Sequence, residues 1–345
     1  MKIVVGLSGG VDSAVAAFLL KQSGNEIICV TMKNLEKGQD SSVADAARVA
    51  EFLGAKHIVR DVCSEFKDCV MGYFADEYLN CRTPNPCVMC NRFMKWNTMM
   101  DVMQEQGAEM VATGHYADIV RLDNGRYTLK KNAGGKDQTY ALSFLTQEQL
   151  SRTVMPLAMY DKERVRSIAA DNNLPVAYKA DSQDICFVPD GEYTEFIKEF
   201  SSRRIPGEGD FVDEKGNKLG HHKGVIFYTV GQRKGLGLSL NRPVFVKELR
   251  PDTNEVVIST EGDVFTDHLY CNRLNMFMEN DCTEGVRLTA KVRYADKGSS
   301  CRVFHEADDV LRVEFDGAVR AVTPGQIVAF YDDDLLYGAA TILHT

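Results

Sequence analysis

Apolar residues in the first hundred or so positions follow two periods in alternation. Short apolar and β-branched runs at Lys2–Gly6, Glu26–Met32, Lys56–Arg60 and Glu109–Thr113 predict buried strands. Between them, Ser13–Gln22, Val43–Leu53, Glu65–Leu79 and Asn91–Gln106 carry apolar residues at helical spacing, as in Ala46, Val49, Ala50 and Leu53. Gly24, Gly54 and Gly107 fall where helices should stop. Such alternation predicts a doubly wound α/β domain, a parallel sheet with helices on both faces. Ligands then bind beyond the carboxyl ends of the strands.

The period changes further along. Ile119–Leu122 and Tyr127–Lys130 flank Asp123-Asn124-Gly125, which predicts a hairpin. Helical patterns return at Thr146–Ser151, Asp161–Asn172 and Glu192–Phe200. After Pro206, short alternating runs broken by glycine and proline predict an all-β remainder. With boundaries near 201–209 and 252–265, the expected layout is an α/β domain over 1–203, a β-rich connector over 204–260 and a C-terminal β-barrel over 261–345.

Composition narrows the class. With 44% hydrophobic and 26% charged residues, the 345-residue chain reads as soluble and globular. No apolar run reaches the length of a membrane span, and none near Met1 resembles an export signal. A cytoplasmic setting without membrane attachment is therefore expected, with the ten cysteines as reduced thiols. Net charge is −9, but Lys215, Lys218, Lys223, Arg233, Lys234, Arg242, Lys247 and Arg250 lie in one segment with the single acid Glu248. A basic segment in an acidic chain suits a docked polyanion such as RNA.

The sharpest chemical signal is Gly6-Leu7-Ser8-Gly9-Gly10-Val11-Asp12-Ser13, between the first strand and the first helix. Glycines let the backbone turn its N–H groups toward an anion, and the helix start adds free donors and partial positive charge. Ser8 and Ser13 add hydroxyls; Asp12 is placed to hold a metal or cap the helix. No lysine follows Gly10, so this is not the loop of ordinary γ-phosphoryl transfer.

Cysteines supply the second signal. Cys29, Cys271, Cys282 and Cys301 lie in strand-like contexts and read as buried small hydrophobes; Cys63 and Cys69 bracket a helix start. In Cys81-Arg82-Thr83-Pro84-Asn85-Pro86-Cys87-Val88-Met89-Cys90-Asn91, two prolines predict a constrained loop feeding a helix near Asn91. A thiol at that helix start should have a lowered pKa. Cys186, in Asp181-Ser182-Gln183-Asp184-Ile185-Cys186-Phe187, also follows a loop. Structural zinc lacks four suitably spaced ligands, and a redox pair lacks its thioredoxin-like context. Two nucleophiles beside an activating ATP site fit better.

Together these strings resemble the bacterial tRNA-specific 2-thiouridylases of the ATP pyrophosphatase superfamily. The likeness adds Thr31-Met32-Lys33-Asn34, Ala112-Thr113-Gly114-His115-Tyr116, Lys136-Asp137-Gln138, Thr229 to Gly237, Val292-Arg293-Tyr294 and Pro324-Gly325-Gln326. It implies ATP-dependent 2-thiolation of the wobble uridine in tRNAs for lysine, glutamate and glutamine, with AMP and pyrophosphate released. Gly6 to Ser13, Met32 and Gly114 would hold ATP with magnesium; Cys186 would carry a persulfide and Cys90 would release it through a disulfide. Asn85, Pro86, Cys87, His115, Lys136, Asp137, Gln138, Arg293, Tyr294 and Gln326 would touch tRNA. A cysteine desulfurase or sulfur-relay protein would supply sulfur.

One departure stands out. The family pattern N-P-D-x-x-C has Asp where this chain has Cys87. General-base duty there would need a tuned thiol. Cys87, Cys90 and Cys186 also make a three-thiol set of the kind that holds a [4Fe–4S] cluster, an alternative sulfur carrier. A rival enzyme reading is an amidotransferase or synthetase of the same superfamily acting on a small molecule. A non-enzymatic RNA-binding module is the third.

Overall fold

The computed structural model describes residues 1–180, 185–188, 193–240, 242–259, 264–278 and 285–345. Expectations for Asp181, Ser182, Glu192 and Cys282, and for the boundary at 260–261, lie outside the described residues. The chain divides into two compact units, one of residues 1–71, 87–187 and 334–337, the other of 72–86, 188–333 and 338–345.

The first unit is built on β1 (Lys2–Gly6), β2 (Glu26–Lys33), β3 (Lys56–Asp61), β4 (Met110–Ala112) and the short β7 (Thr153–Val154). Their order is β3-β2-β1-β4-β7, and all pairings are parallel. Order reverses at β1, so the open crevice lies at the ends of β1 and β4. Ile3 and Val5 face a core shared with α1 (Val11–Gln22), α2 (Asp40–Phe52) and α4 (Lys162–Asp171). The opposite face takes α3 (Trp96–Glu105): a side chain at Gly6 would strike the Met99 sulfur at 2.9 Å. The sheet is doubly wound, as its period predicts. A hairpin of β5 (Ala117–Arg121) and β6 (Tyr127–Lys131) completes the unit, with Leu335 paired to Lys130.

Two helical expectations need correction. The pattern over Glu65–Leu79 is not one regular helix: Cys63–Phe66, a wide-turned stretch Lys67–Gly72 and Tyr73–Leu79 follow one another. Gly72, a weak helix former, stands where the wide stretch ends. The segment 86–90 is not a loop either. Helix begins at Pro86–Met89, continues through wide turns over Cys90–Lys95 and passes into α3. Proline suits a first helical position, because its missing N–H would be unpaired there anyway.

In the second unit, α5 (Tyr193–Phe200) packs on Tyr73–Leu79 through aromatic pairs: Phe74–Phe196 at 5.8 Å and a stacked Tyr78–Tyr193 at 4.3 Å. A four-stranded mixed sheet follows, in the order β10 (Phe245–Arg250), β11 (Glu255–Ser259), β8 (Gly209–Val212), β9 (Lys218–His222). The last six strands are β12 (Phe265–Met276), β13 (Val286–Lys291), β14 (Ser299–Ala307), β15 (Val310–Arg320), β16 (Ile327–Asp332) and β17 (Leu335–His344). They close into a barrel because β12 pairs with both β15 and β17. Cys271 and Cys301 are buried there as small apolar groups.

The single tryptophan, Trp96, is fully buried at the start of α3 and donates from Nε1 to Thr153 Oγ1 at 2.8 Å. Trp96→Ala should cost roughly 3–5 kcal/mol, read as a lowered midpoint of urea unfolding followed by circular dichroism. An unchanged midpoint would contradict the packing described.

Candidate active site

The loop after β1 is fixed by close backbone contacts. Leu7 N–H donates to Val30 O at 2.8 Å, and Thr31 Oγ1 donates to Leu7 O at 2.8 Å. Gly9 has φ +73°, and a Cβ there would lie 2.3 Å from Ser42 O, so only glycine fits. Ser8 N–H donates to Ser13 Oγ at 3.2 Å, and Ser13 Oγ donates to Gly10 O at 3.1 Å. Gly10 is the N-cap of α1 and offers no side-chain acceptor. The first N–H groups of α1, from Val11 on, therefore face the crevice as anion donors. Met32 lies near the carboxyl end of β2.

Asp12 neither caps α1 nor joins a carboxylate cluster. Its Oδ1 accepts from Tyr116 OH at 2.8 Å and Lys162 Nζ at 2.6 Å, while Lys136 Nζ lies 3.6 Å from Oδ2. Lys179 Nζ reaches Gly9 O at 3.0 Å and also pairs with Asp45. The loop itself carries no lysine, yet three converge on it from distant positions. Gly114 packs against the same turn. A Cβ there would sit 2.6 Å from the Asp12 carbonyl carbon and from Ser13 N, so the end of β4 lies directly on the first turn of α1.

Other expected RNA-contacting groups are engaged within the chain. Gln138 and Tyr116 exchange hydrogen bonds: Tyr116 N–H donates to Gln138 Oε1 at 2.9 Å, and Gln138 N–H donates to Tyr116 O at 2.8 Å. Asp137 accepts from Thr139 N at 3.1 Å and Oγ1 at 2.9 Å. Lys136 lies over the Tyr116 ring, 4.5 Å from its centroid. His115 Nδ1 meets Thr113 Oγ1 at 2.8 Å, and its ring tilts against Trp96. Burial first, then the Lys95 and Lys136 ammoniums, push His115 down to about 3, so the ring is neutral at ordinary pH.

The thiols come together on the same unit. Cys87 is exposed in the first helical turn, and Cys90 is buried three residues on. The exposed Cys186 accepts a long contact from Asn34 Nδ2, at 3.9 Å. All three influence one another electrostatically, and Lys95 acts on both Cys90 and Cys186. Lys95 closes the run of wide turns that opens at Cys90. The Arg92 carbonyl within these turns accepts from Gln149 Nε2 at 3.0 Å; Asn91 Nδ2 donates to Ala141 O at 2.8 Å.

The expected lowering of thiol pKa is reversed. Burial pushes Cys90 up to about 11 and outweighs the Lys95 ammonium. Cys186 is also raised, first by the protein mass around it, with Lys95 and Asn34 opposing. Among the described residues, no three histidine, cysteine or carboxylate groups converge to hold a metal ion.

In the second unit, Gln326 spends its amide on the segment before Pro86. Nε2 donates to Thr83 O at 3.0 Å and Pro84 O at 3.1 Å, and Thr83 N–H donates to Pro324 O at 2.8 Å. Arg82 pairs with buried Glu77 through Nε at 2.6 Å and Nη2 at 2.8 Å. Asn85 continues this segment, while Arg293 and the half-exposed Tyr294 occupy the turn after β13. Sequence reasoning missed Lys95, Lys162 and Lys179. Lys162 follows the helix-capping Asp161, but nothing in its own pattern points to Asp12.

Family models match nearly the whole chain: a tRNA methyl transferase HUP domain over residues 1–190, a tRNA methyl transferase PRC-barrel domain over 194–260 and an aminomethyltransferase beta-barrel domain over 266–342. The tRNA-specific 2-thiouridylase MnmA of Lachnoclostridium phytofermentans is 50% identical, with 99% of each chain covered. The protein of the same name from Clostridioides difficile is 44% identical over 99% of this chain and 98% of its own. That from Clostridium kluyveri is 43% identical over 99% of both.

Two titrations test the geometry. The folded chain holds His115 neutral, so its contribution to stability is full above its ordinary value of 6.5 and is lost as pH falls from there toward about 3. In urea unfolding, His115→Gln should lose less stability than the native chain between these pH values. Alkylation of Cys90 by iodoacetamide should be slow at neutral pH and rise toward about 11; a plateau below pH 8 would refute the burial argument.

Proposed function

The chain belongs to the tRNA-specific 2-thiouridylase family, and on that basis we propose that it forms 2-thiouridine at the wobble position of tRNAs for lysine, glutamate and glutamine, using ATP. The observation that carries this reading is the placement, on one unit, of an uncapped helix start whose loop three lysines contact and of the thiols Cys90 and Cys186. The family models carry methyl transfer in their descriptions, whereas paired thiols beside an anion cradle are the parts sulfur transfer needs.

Residues Gly6 to Ser13 suit a polyphosphate: backbone donors at the start of α1, with Lys136 and Lys162 close by and Lys179 against the Gly9 carbonyl. Bound magnesium would neutralise the phosphates, and Asp12 is the carboxylate that the loop itself carries. The uridine C2 oxygen attacks the α-phosphorus and pyrophosphate leaves, which turns that oxygen into part of a good leaving group. The terminal sulfur of a Cys186 persulfide attacks C2, and AMP departs with the oxygen. Cys90 thiolate then attacks the Cys186 sulfur. The base keeps the terminal sulfur, a Cys90–Cys186 disulfide remains, and an external thiol reductant restores the pair. A cysteine desulfurase or sulfur-relay protein reloads Cys186. Because Cys90 starts protonated, it acts only when a proton is withdrawn, and Lys95 is the cation placed to favour that.

Mass spectrometry of tRNA incubated with the pure protein, ATP and a persulfide source checks the reading. One oxygen of the uridine should be replaced by sulfur, with pyrophosphate released only when tRNA is present. Cys186→Ser should abolish the product while leaving urea unfolding within about 0.5 kcal/mol of native, as befits an exposed side chain. ATP–pyrophosphate exchange driven by a small metabolite without tRNA would instead support a synthetase.

A further inference from the structure

The second unit contains a cavity of about 410 Å³ that the proposed chemistry does not use. Its wall brings together Lys198 from α5, Lys223 from the end of the β8–β9 hairpin, and the ring of Phe227. Lys223 Nζ lies 4.7 Å and Lys198 Nζ 5.2 Å from the centre of that one ring. Gly224 sets the arrangement. Its φ of +131° is open to glycine, and a Cβ there would meet Pro206 O at 2.6 Å and the Phe227 ring at 3.0 Å.

Two ammonium groups gathered on one ring repel each other, and the ring quadrupole offsets only part of that cost. Glu195 pairs with Lys198 at 2.6 Å, but both side chains are largely solvated, so the pair is weak. Lys223 has no carboxylate partner among the described residues. The unit carries a second basic cavity of about 230 Å³, lined by Arg233 and Arg242, which likewise lack carboxylate partners among the described residues. By contrast, Lys218, Lys247 and Arg250 are neutralised by Asp210, Glu214 and the Glu248–Glu255 pair. The basic segment read from sequence is therefore not uniformly charged. Of its cations without a carboxylate partner among the described residues, Lys223, Arg233 and Arg242 line the two cavities, whereas Lys215 and Lys234 do not.

We propose that the Lys198–Lys223–Phe227 cavity is a phosphodiester-binding subsite that grips the RNA backbone on the second unit. The inference rests on tRNA being the substrate. Two separate basic cavities on one unit suit a ligand with repeated phosphates better than a single free anion.

The test is binding of the full chain to unmodified tRNA across a salt series, comparing the native chain with the Lys198→Gln/Lys223→Gln double variant. The variant should bind several-fold more weakly, and its slope of log affinity against log salt should be flatter by about one. Lys198→Arg/Lys223→Arg should restore the native slope, and thermal unfolding should be alike in all three. If native and Gln variant bind tRNA with equal affinity and slope, the subsite is refuted while the thiolation reading stands. If the native chain binds no tRNA, both fall. Orthophosphate binding that the Gln variant loses, with tRNA affinity unchanged, would identify a free-anion site and overturn the proposal.

Discussion

The crevice depends on a contact that leaves no room for a side chain. Gly114 lies against the carbonyl carbon of Asp12 and the nitrogen of Ser13, closing the gap between the ends of β1 and β4. The geometry around Asp12 is built on that approach. Two residues on, the Tyr116 hydroxyl reaches Asp12, and the start of α1 is left without a side-chain cap. A methyl group at position 114 would push on the helix terminus that is the natural place for an anion.

The second constraint is the set of wide turns between Cys90 and Lys95. Such turns cost regular hydrogen bonding, and here the cost is met by neighbours: Gln149 serves the Arg92 carbonyl, and Asn91 is anchored on Ala141. The result is a cation that acts on both Cys90 and Cys186, of which Cys90 is buried and kept protonated. Burial and charge oppose each other at this site, and burial prevails in the free protein.

Much of this was legible in the sequence, for identifiable reasons. The doubly wound sheet follows from strand and helix periods, and Gly6–Ser13 announces itself because glycine is required where the chain crowds Ser42. Thr146 and Asp161 mark their helix starts by their own chemistry. Other features were not legible. Pro86 looked like a breaker, whereas it opens a helix, a distinction that depends on which position proline takes. The convergence of Lys136, Lys162 and Lys179 on one loop is tertiary, and no local period encodes it. The tie from Gln326 Nε2 to Thr83 and Pro84 is tertiary as well.

That last pairing has a consequence for how the protein matures. The segment leading into the Cys87–Cys90 helix is tied down by Pro324 and Gln326, some 240 residues later in the chain. The first unit likewise waits for Leu336, whose carbonyl accepts the Thr128 hydroxyl. During synthesis from the N-terminus, the sheet can form early, but the approach to the thiols stays untethered until nearly the last residues emerge. A nascent or C-terminally clipped chain would thus hold its glycine-rich loop while lacking a settled path into the cysteine helix.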